Sequence, residues 1–137
     1  MLYLDASALA KLYITEPGGS QMPGVIREHR DAVFTSIVTY AETLSVLARS
    51  MRERRISPRE YQVAKKAFLA DWPAWHVIEV TQTVLAPAAR LIERHGIRGF
   101  DAMHLSSALW VGNPAFACFD ARLRKAAAAE GLAVVPG

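Results

Sequence analysis

The chain has a single cysteine, Cys118, no charge-free run long enough to span a bilayer, and no basic start ahead of an apolar stretch. One cysteine excludes an intrachain disulfide and a thiolate zinc cage, and it points to a reducing compartment, the cytoplasm by default. The longest stretch without formal charge, Ala102 to Phe119, is interrupted at Gly112-Asn113-Pro114, which predicts a helix break well short of membrane thickness. No membrane segment and no secretion signal are expected. Internal repeats, low-complexity tracts and linkers are missing as well. The 137 residues, 52% hydrophobic, therefore predict one domain, residues 1–137, with a core of ordinary size.

The elements alternate. Leu2 to Asp5 reads as a strand, with Ser7 able to cap a helix through Ala8 to Ile14 that Pro17-Gly18-Gly19 closes. A short helix is expected after Ser20, a strand over Ala32 to Ser36, and a long helix from Ile37 to about Arg55, with apolar residues at 37, 40, 41, 44, 47, 48 and 51. Ser57-Pro58-Arg59-Glu60 is a capping box opening a helix to about Trp72. Then come a strand (Val77 to Val80), a helix from Thr83 to His95 closed by Gly96, and a helix from Asp101 to Val111 closed by Gly112. A strand from Ala115 to Phe119, a helix from Ala121 to Glu130 and a strand from Leu132 to Val135 complete the chain. Because the strands are continuous apolar runs, the pattern predicts an α/β fold with a mostly parallel central sheet covered by helices on both faces.

Four acids stand apart from the other charges. Asp5 is the only charged residue from Met1 to Ala10, Glu42 the only one from Ala32 to Ala48, and Asp101 and Asp120 the only two from Gly99 to Ala121. Acids in apolar surroundings are costly to bury unless paired or bound to a cation. By contrast Glu28, Asp31, Glu53, Glu60 and Glu93 each adjoin an arginine, as solvated charges do. Asp5 and Asp120 end strands, and the carboxyl ends of parallel strands form the ligand-binding edge of such sheets. An all-oxygen set suits magnesium or manganese, where zinc would ask for His or Cys, and such a site supports attack of an activated water on a phosphodiester. Each acid also has a bland reading: Asp5, Asp101 and Asp120 as helix caps, Glu42 as a partner of Arg49.

The segments Leu4-Asp5-Ala6-Ser7-Ala8-Leu9, Thr39-Tyr40-Ala41-Glu42, Phe100-Asp101-Ala102-Met103-His104-Leu105 and Phe119-Asp120-Ala121-Arg122-Leu123 resemble those of the PIN-domain family, especially its VapC-type toxins. The resemblance spans nearly the whole chain, in motif order and spacing. It implies a PIN-like three-layer fold, a magnesium- or manganese-dependent endoribonuclease, a homodimer, and inhibition by a small cognate antitoxin. It carries over Asp5, Glu42, Asp101 and Asp120 as the catalytic and metal-holding acids, and Ser7 as a hydroxyl that orients a carboxylate or water. Where the family commonly has Thr or Ser two residues before the last acid, this chain has Cys118, a weaker hydrogen-bond donor.

The cations suit such a substrate. Net charge is +3, and with four of the thirteen acids bound to metal, sixteen Lys and Arg would face only nine acids. Arg52, Arg54 and Arg55 are candidate RNA contacts, with a solvated face or antitoxin contact as the other reading, and Arg98, just before Asp101, is the closer candidate for a substrate phosphate. His104 shares a helix face with Asp101 and reads first as a packed, hydrogen-bonded histidine, second as a ligand or proton carrier. Trp72, Trp75 and Trp110 read first as packing. Competing functions are a phosphatase with Asp5 as nucleophile, disfavoured because Ser7 replaces the second acid; a DNA nuclease; and a non-catalytic RNA- or protein-binding module of PIN type.

Overall fold

A computed structural model of the chain describes residues 1–29 and 31–137. Strands β1 (Leu2–Leu4), β2 (Val33–Ser36), β3 (His76–Ile78), β4 (Ala115–Ala117) and β5 (Val134–Val135) form one sheet in the order β3-β2-β1-β4-β5, every neighbouring pair parallel. Leu2 and Leu4 of β1 and Ala115 and Ala117 of β4 face one hydrophobic cluster, while Tyr3, Phe116 and Cys118 face another. Both faces are thus apolar, as the strand sequences required. Helices α1 (Ala6–Ala10), α2 (Met22–Glu28), α3 (Val38–Arg52) and α4 (Pro58–Asp71) pack on the first face. On the second lie α6 (Ala88–His95), α7 (Gly99–Val111) and α8 (Ala121–Ala129), with the short α5 (Gln82–Leu85) against α7. The expected three-layer α/β architecture is borne out.

Several boundaries differ from expectation for identifiable reasons. The expected helix 83–95 is two helices, because Pro87 has no N–H to continue α5 and instead sits at the N-cap of α6. Gly96 ends α6 in the left-handed region at φ 62°, where a glycine carries no Cβ penalty. Helix α1 is capped by Asp5 and not by Ser7. The largest difference is in α3, whose buried residues are Thr39, Thr43, Leu47 and Ser50, while Ile37 and Tyr40 stay exposed. Small side chains on the inner face let α3 pack closely on α1, and the Thr35 hydroxyl donates to the Leu4 carbonyl at 2.7 Å and lies 2.8 Å from that of Thr39. The capping box at Ser57 and Glu60 is formed as read, at 2.9 and 3.0 Å. Trp72 and Trp75 pack on the first cluster, but Trp110 is 57% exposed, against the packing reading. Among the described residues no helix is long and apolar enough to cross a membrane.

One ionic cluster ties α6 to the end of α8. Glu130 accepts from Arg90 at 3.1 Å and Arg94 at 3.0 Å and lies 2.7 Å from His95 Nε2. The hydrogen bond from His95, then the two arginines, hold its carboxyl below the usual range against the opposing effect of burial. A depressed folded-state value contributes stability above the unfolded value and loses it as pH falls through the folded one. Replacing Glu130 with Gln is therefore expected to cost about 2 kcal/mol at neutral pH and progressively less in acid, measured by urea unfolding at several pH values.

Candidate active site

Strand order fixes where a site forms. The chain runs β1, β2, β3 outward to one side and then returns to place β4 and β5 on the other, so the switch point lies between β1 and β4. Loops leaving these strands diverge there and open a crevice at the carboxyl edge. Asp5 follows β1 directly, and Asp120 sits just beyond β4 at the start of α8. Glu42 on the second turn of α3 and Asp101 in the first turn of α7 complete the lining of a cleft of about 610 Å³, with Ser7, Arg49, Arg98, Phe100 and His104. All four sequence-predicted acids border one space.

Each acid spends one oxygen on a protein partner. Asp5 Oδ1 accepts from Ser7 Oγ at 2.7 Å and from the Ala8 amide at 2.9 Å; Asp120 Oδ1 accepts from the Leu123 amide at 2.9 Å. Glu42 Oε1 lies 2.7 Å from His104 Nε2, and Asp101 Oδ2 lies 3.4 Å from Arg98 Nε. Asp5 and Asp120 are thus helix caps as well as cleft acids, whereas Asp101 caps nothing and Glu42 pairs with His104 and not Arg49. The second oxygen of each carboxylate accepts no hydrogen bond from any described residue. Asp5 is almost fully buried, and burial raises its pKa, with the Asp101 charge adding and His104, Ser7 and Ala8 opposing.

Ser7 does more than orient Asp5. Its oxygen also accepts from the Phe119 amide at 3.1 Å, joining the chain after β1 to the chain after β4. The Arg124 guanidinium donates to the Cys118 carbonyl at 2.8 Å. Cys118 itself is buried in the second cluster, with its thiol pKa pushed up by burial, so the loop bearing Asp120 is held through its backbone and not through the side chain at 118. Gly18, at φ 83°, approaches the same loop: a Cβ there would stand 2.7 Å from the Phe119 ring. The link from His104 to Glu42 was outside the sequence reading; the only signal was the placing of His104 three residues after Asp101.

Among the described residues no three His, Cys, Asp or Glu side chains are grouped closely enough to hold a metal ion by themselves. The donor set nevertheless fits a hard cation, because every available group is a carboxylate oxygen. Magnesium in particular is commonly held by one or two carboxylates with water completing the shell, which needs no cage of three. Arg49 and Arg98 line the cleft, but Arg52, Arg54 and Arg55 border a separate cleft with Ser57, Pro58 and Glu60, at the far end of α3.

Residues 2–129 match the family model described as PIN domain. The chain belongs to the PIN-domain family. Within that family it stands with the VapC type: over 138 aligned residues it is 37% identical to Ribonuclease VapC45 of Mycobacterium tuberculosis (strain CDC 1551 / Oshkosh), covering 99% of this chain and 95% of that one. Its fold is that of the solved PAE2754 of Pyrobaculum aerophilum (TM-score 0.72, 19% identity, 98% of this chain and 83% of that one) and of FitAcB of Neisseria gonorrhoeae (TM-score 0.71, 17% identity, 98% and 96%).

Proposed function

We propose that this chain is a metal-dependent endoribonuclease, the toxin of a toxin–antitoxin pair, with Asp5, Glu42, Asp101 and Asp120 holding Mg2+ or Mn2+ at the cleft directly or through water. The observation that carries the reading is the meeting of four isolated acids, from four separate segments, along one crevice at the carboxyl edge of β1 and β4, in a chain alike over its whole length to a protein named a ribonuclease. Bound there, the cation supplies an activated water and neutralises charge on the phosphate. The protein's own groups do the rest. Ser7 and the amides of Ala8 and Leu123 hold Asp5 and Asp120 in fixed orientation. Arg98 is 80% exposed and only loosely paired with Asp101, so it can exchange that carboxylate for an RNA phosphate.

A homodimer and a small antitoxin as partners, and the cytoplasm as location, belong to the same reading; the exposed Ile37, Phe100 and Trp110 offer apolar surface for protein contact. The test is incubation of purified protein with RNA in Mn2+ and in chelator. Cleavage is expected only with metal, and equal cleavage in chelator would overturn the metal site. RNA contacts are read from salt titrations. Arg98→Ala should reduce the slope of log affinity against log salt by about 0.7, the amount expected for one phosphate contact on a single strand. The triple change of Arg52, Arg54 and Arg55 to Ala should flatten it further if RNA extends to the end of α3; an unchanged slope with weaker antitoxin binding would make that cluster a partner surface.

A further inference from the structure

Tyr3 lies fully buried in β1, two residues before Asp5, with its ring stacked on Phe116 at 5.4 Å between centroids. Its hydroxyl is 2.9 Å from Nδ1 of His104, which is 2% exposed on α7, and the opposite ring nitrogen, Nε2, is 2.7 Å from Glu42 Oε1 on α3. A phenol, an imidazole and a carboxylate thus form one chain of hydrogen bonds that crosses from the sheet to two helices and ends in the cleft.

The donor count settles the direction. An ionised carboxylate only accepts, so Nε2 facing Glu42 must carry a proton. In a neutral ring that leaves Nδ1 bare, and the phenol must donate to it. A purely space-filling role would be met by phenylalanine and leucine, which bury no polar group that then needs a partner.

We propose that Tyr3 and His104 are positioning residues: Tyr3 donates to Nδ1 of His104 and, with Glu42, holds the ring with its proton on Nε2, and His104 then pins Glu42 by Oε1 and leaves Oε2 for a divalent cation. The inference rests on the metal reading above and adds to it the residues that orient one ligand. Glu42 needs such help more than Asp5 and Asp120 do, since each of those accepts from a helix amide. It projects from the middle of a helix with 30% of its side chain exposed, and it has no backbone amide to cap. Partners of this kind typically matter by about 10–100-fold in metal affinity.

The test measures Mn2+ binding by calorimetry and the His104 tautomer by 15N NMR on metal-free protein. In the wild type the proton is expected on Nε2. Tyr3→Phe should leave Nδ1 of His104 without a donor, loosen the ring, and weaken Mn2+ binding several-fold with the fold intact. His104→Asn should weaken it about tenfold or more. His104→Gln, whose amide nitrogen reaches about as far as Nε2, should recover most of the loss, which a role in packing alone would not produce. A wild-type proton on Nδ1 would overturn the inference. So would unchanged Mn2+ affinity in Tyr3→Phe and His104→Asn while Glu42→Gln binds more weakly, and this result would leave the metal site standing. Absence of Mn2+ binding by the wild type would remove both.

Discussion

Asp101→Asn protein is expected to cleave RNA at least about a hundredfold more slowly than the wild type in saturating Mn2+, since charge stabilisation by a bound cation contributes several kcal/mol to such a reaction. The variant isolates the site from the fold. Asp101 lies in the first turn of α7, but the N-cap position is Arg98 and no side chain caps that helix, so the substitution removes no cap. Its only ion-pair partner among the described residues, Arg98, is largely in solvent, and an exposed pair of this kind contributes little to stability. Asp5→Asn should lose activity comparably. Unchanged cleavage by folded, purified Asp101→Asn would remove that residue from the machinery.

Manganese should raise the melting temperature of the wild type more than that of Asp101→Asn, and in chelator the variant should melt no lower than the wild type. Two effects act together. Asp5 has a folded-state pKa raised by burial and further by Asp101, so its contribution to stability is present in full below the unfolded value, near pH 4, and is lost as pH rises through the folded one. Metal-free wild type therefore carries a penalty at neutral pH that Asp101→Asn relieves in part. A cation that binds only the folded site offsets this by mass action, by about 2.7 kcal/mol at a free concentration near a hundred times its dissociation constant. Melts at matched ionic strength, in chelator and in Mn2+, decide the matter. Equal metal-induced shifts would mean that Asp101 is not a ligand, and a large loss in chelator would mean that it is structural.

The layer order was legible from local pattern, and the meeting of the four acids from the strand ends that carry Asp5 and Asp120 together with the resemblance to the PIN-domain family. Apolar runs mark strands buried on two faces, and an acid that breaks such a run at its end must lie at an edge. What was not legible depended on contacts between distant segments. Nothing local to Ile37–Arg55 announces that threonines at 39 and 43 and a serine at 50 turn inward while Ile37 and Tyr40 stay out, since that choice is made by the close approach of α1 and the hydroxyl pair of Thr35 and Thr39. Pro87 lies inside the expected helix 83–95 and divides it in two. The partner of Glu42 is 62 residues away on another helix, beyond the reach of any spacing rule.

The double duty of Asp5 and Asp120 changes what substitution at each acid can report. Alanine at 5 or 120 removes a carboxylate from the cleft and also the acceptor for a free amide in a helix's first turn, a loss of about 1 kcal/mol in its own right. Asparagine at either place keeps the acceptor and removes only the charge. At 101, where no amide depends on the side chain, the two replacements should behave alike. An alanine scan of this cleft would thus rank positions 5 and 120 as the more important for reasons that belong partly to folding. In the same way, a lineage that gave up cleavage could keep its architecture most cheaply by drifting from aspartate to asparagine at these two positions.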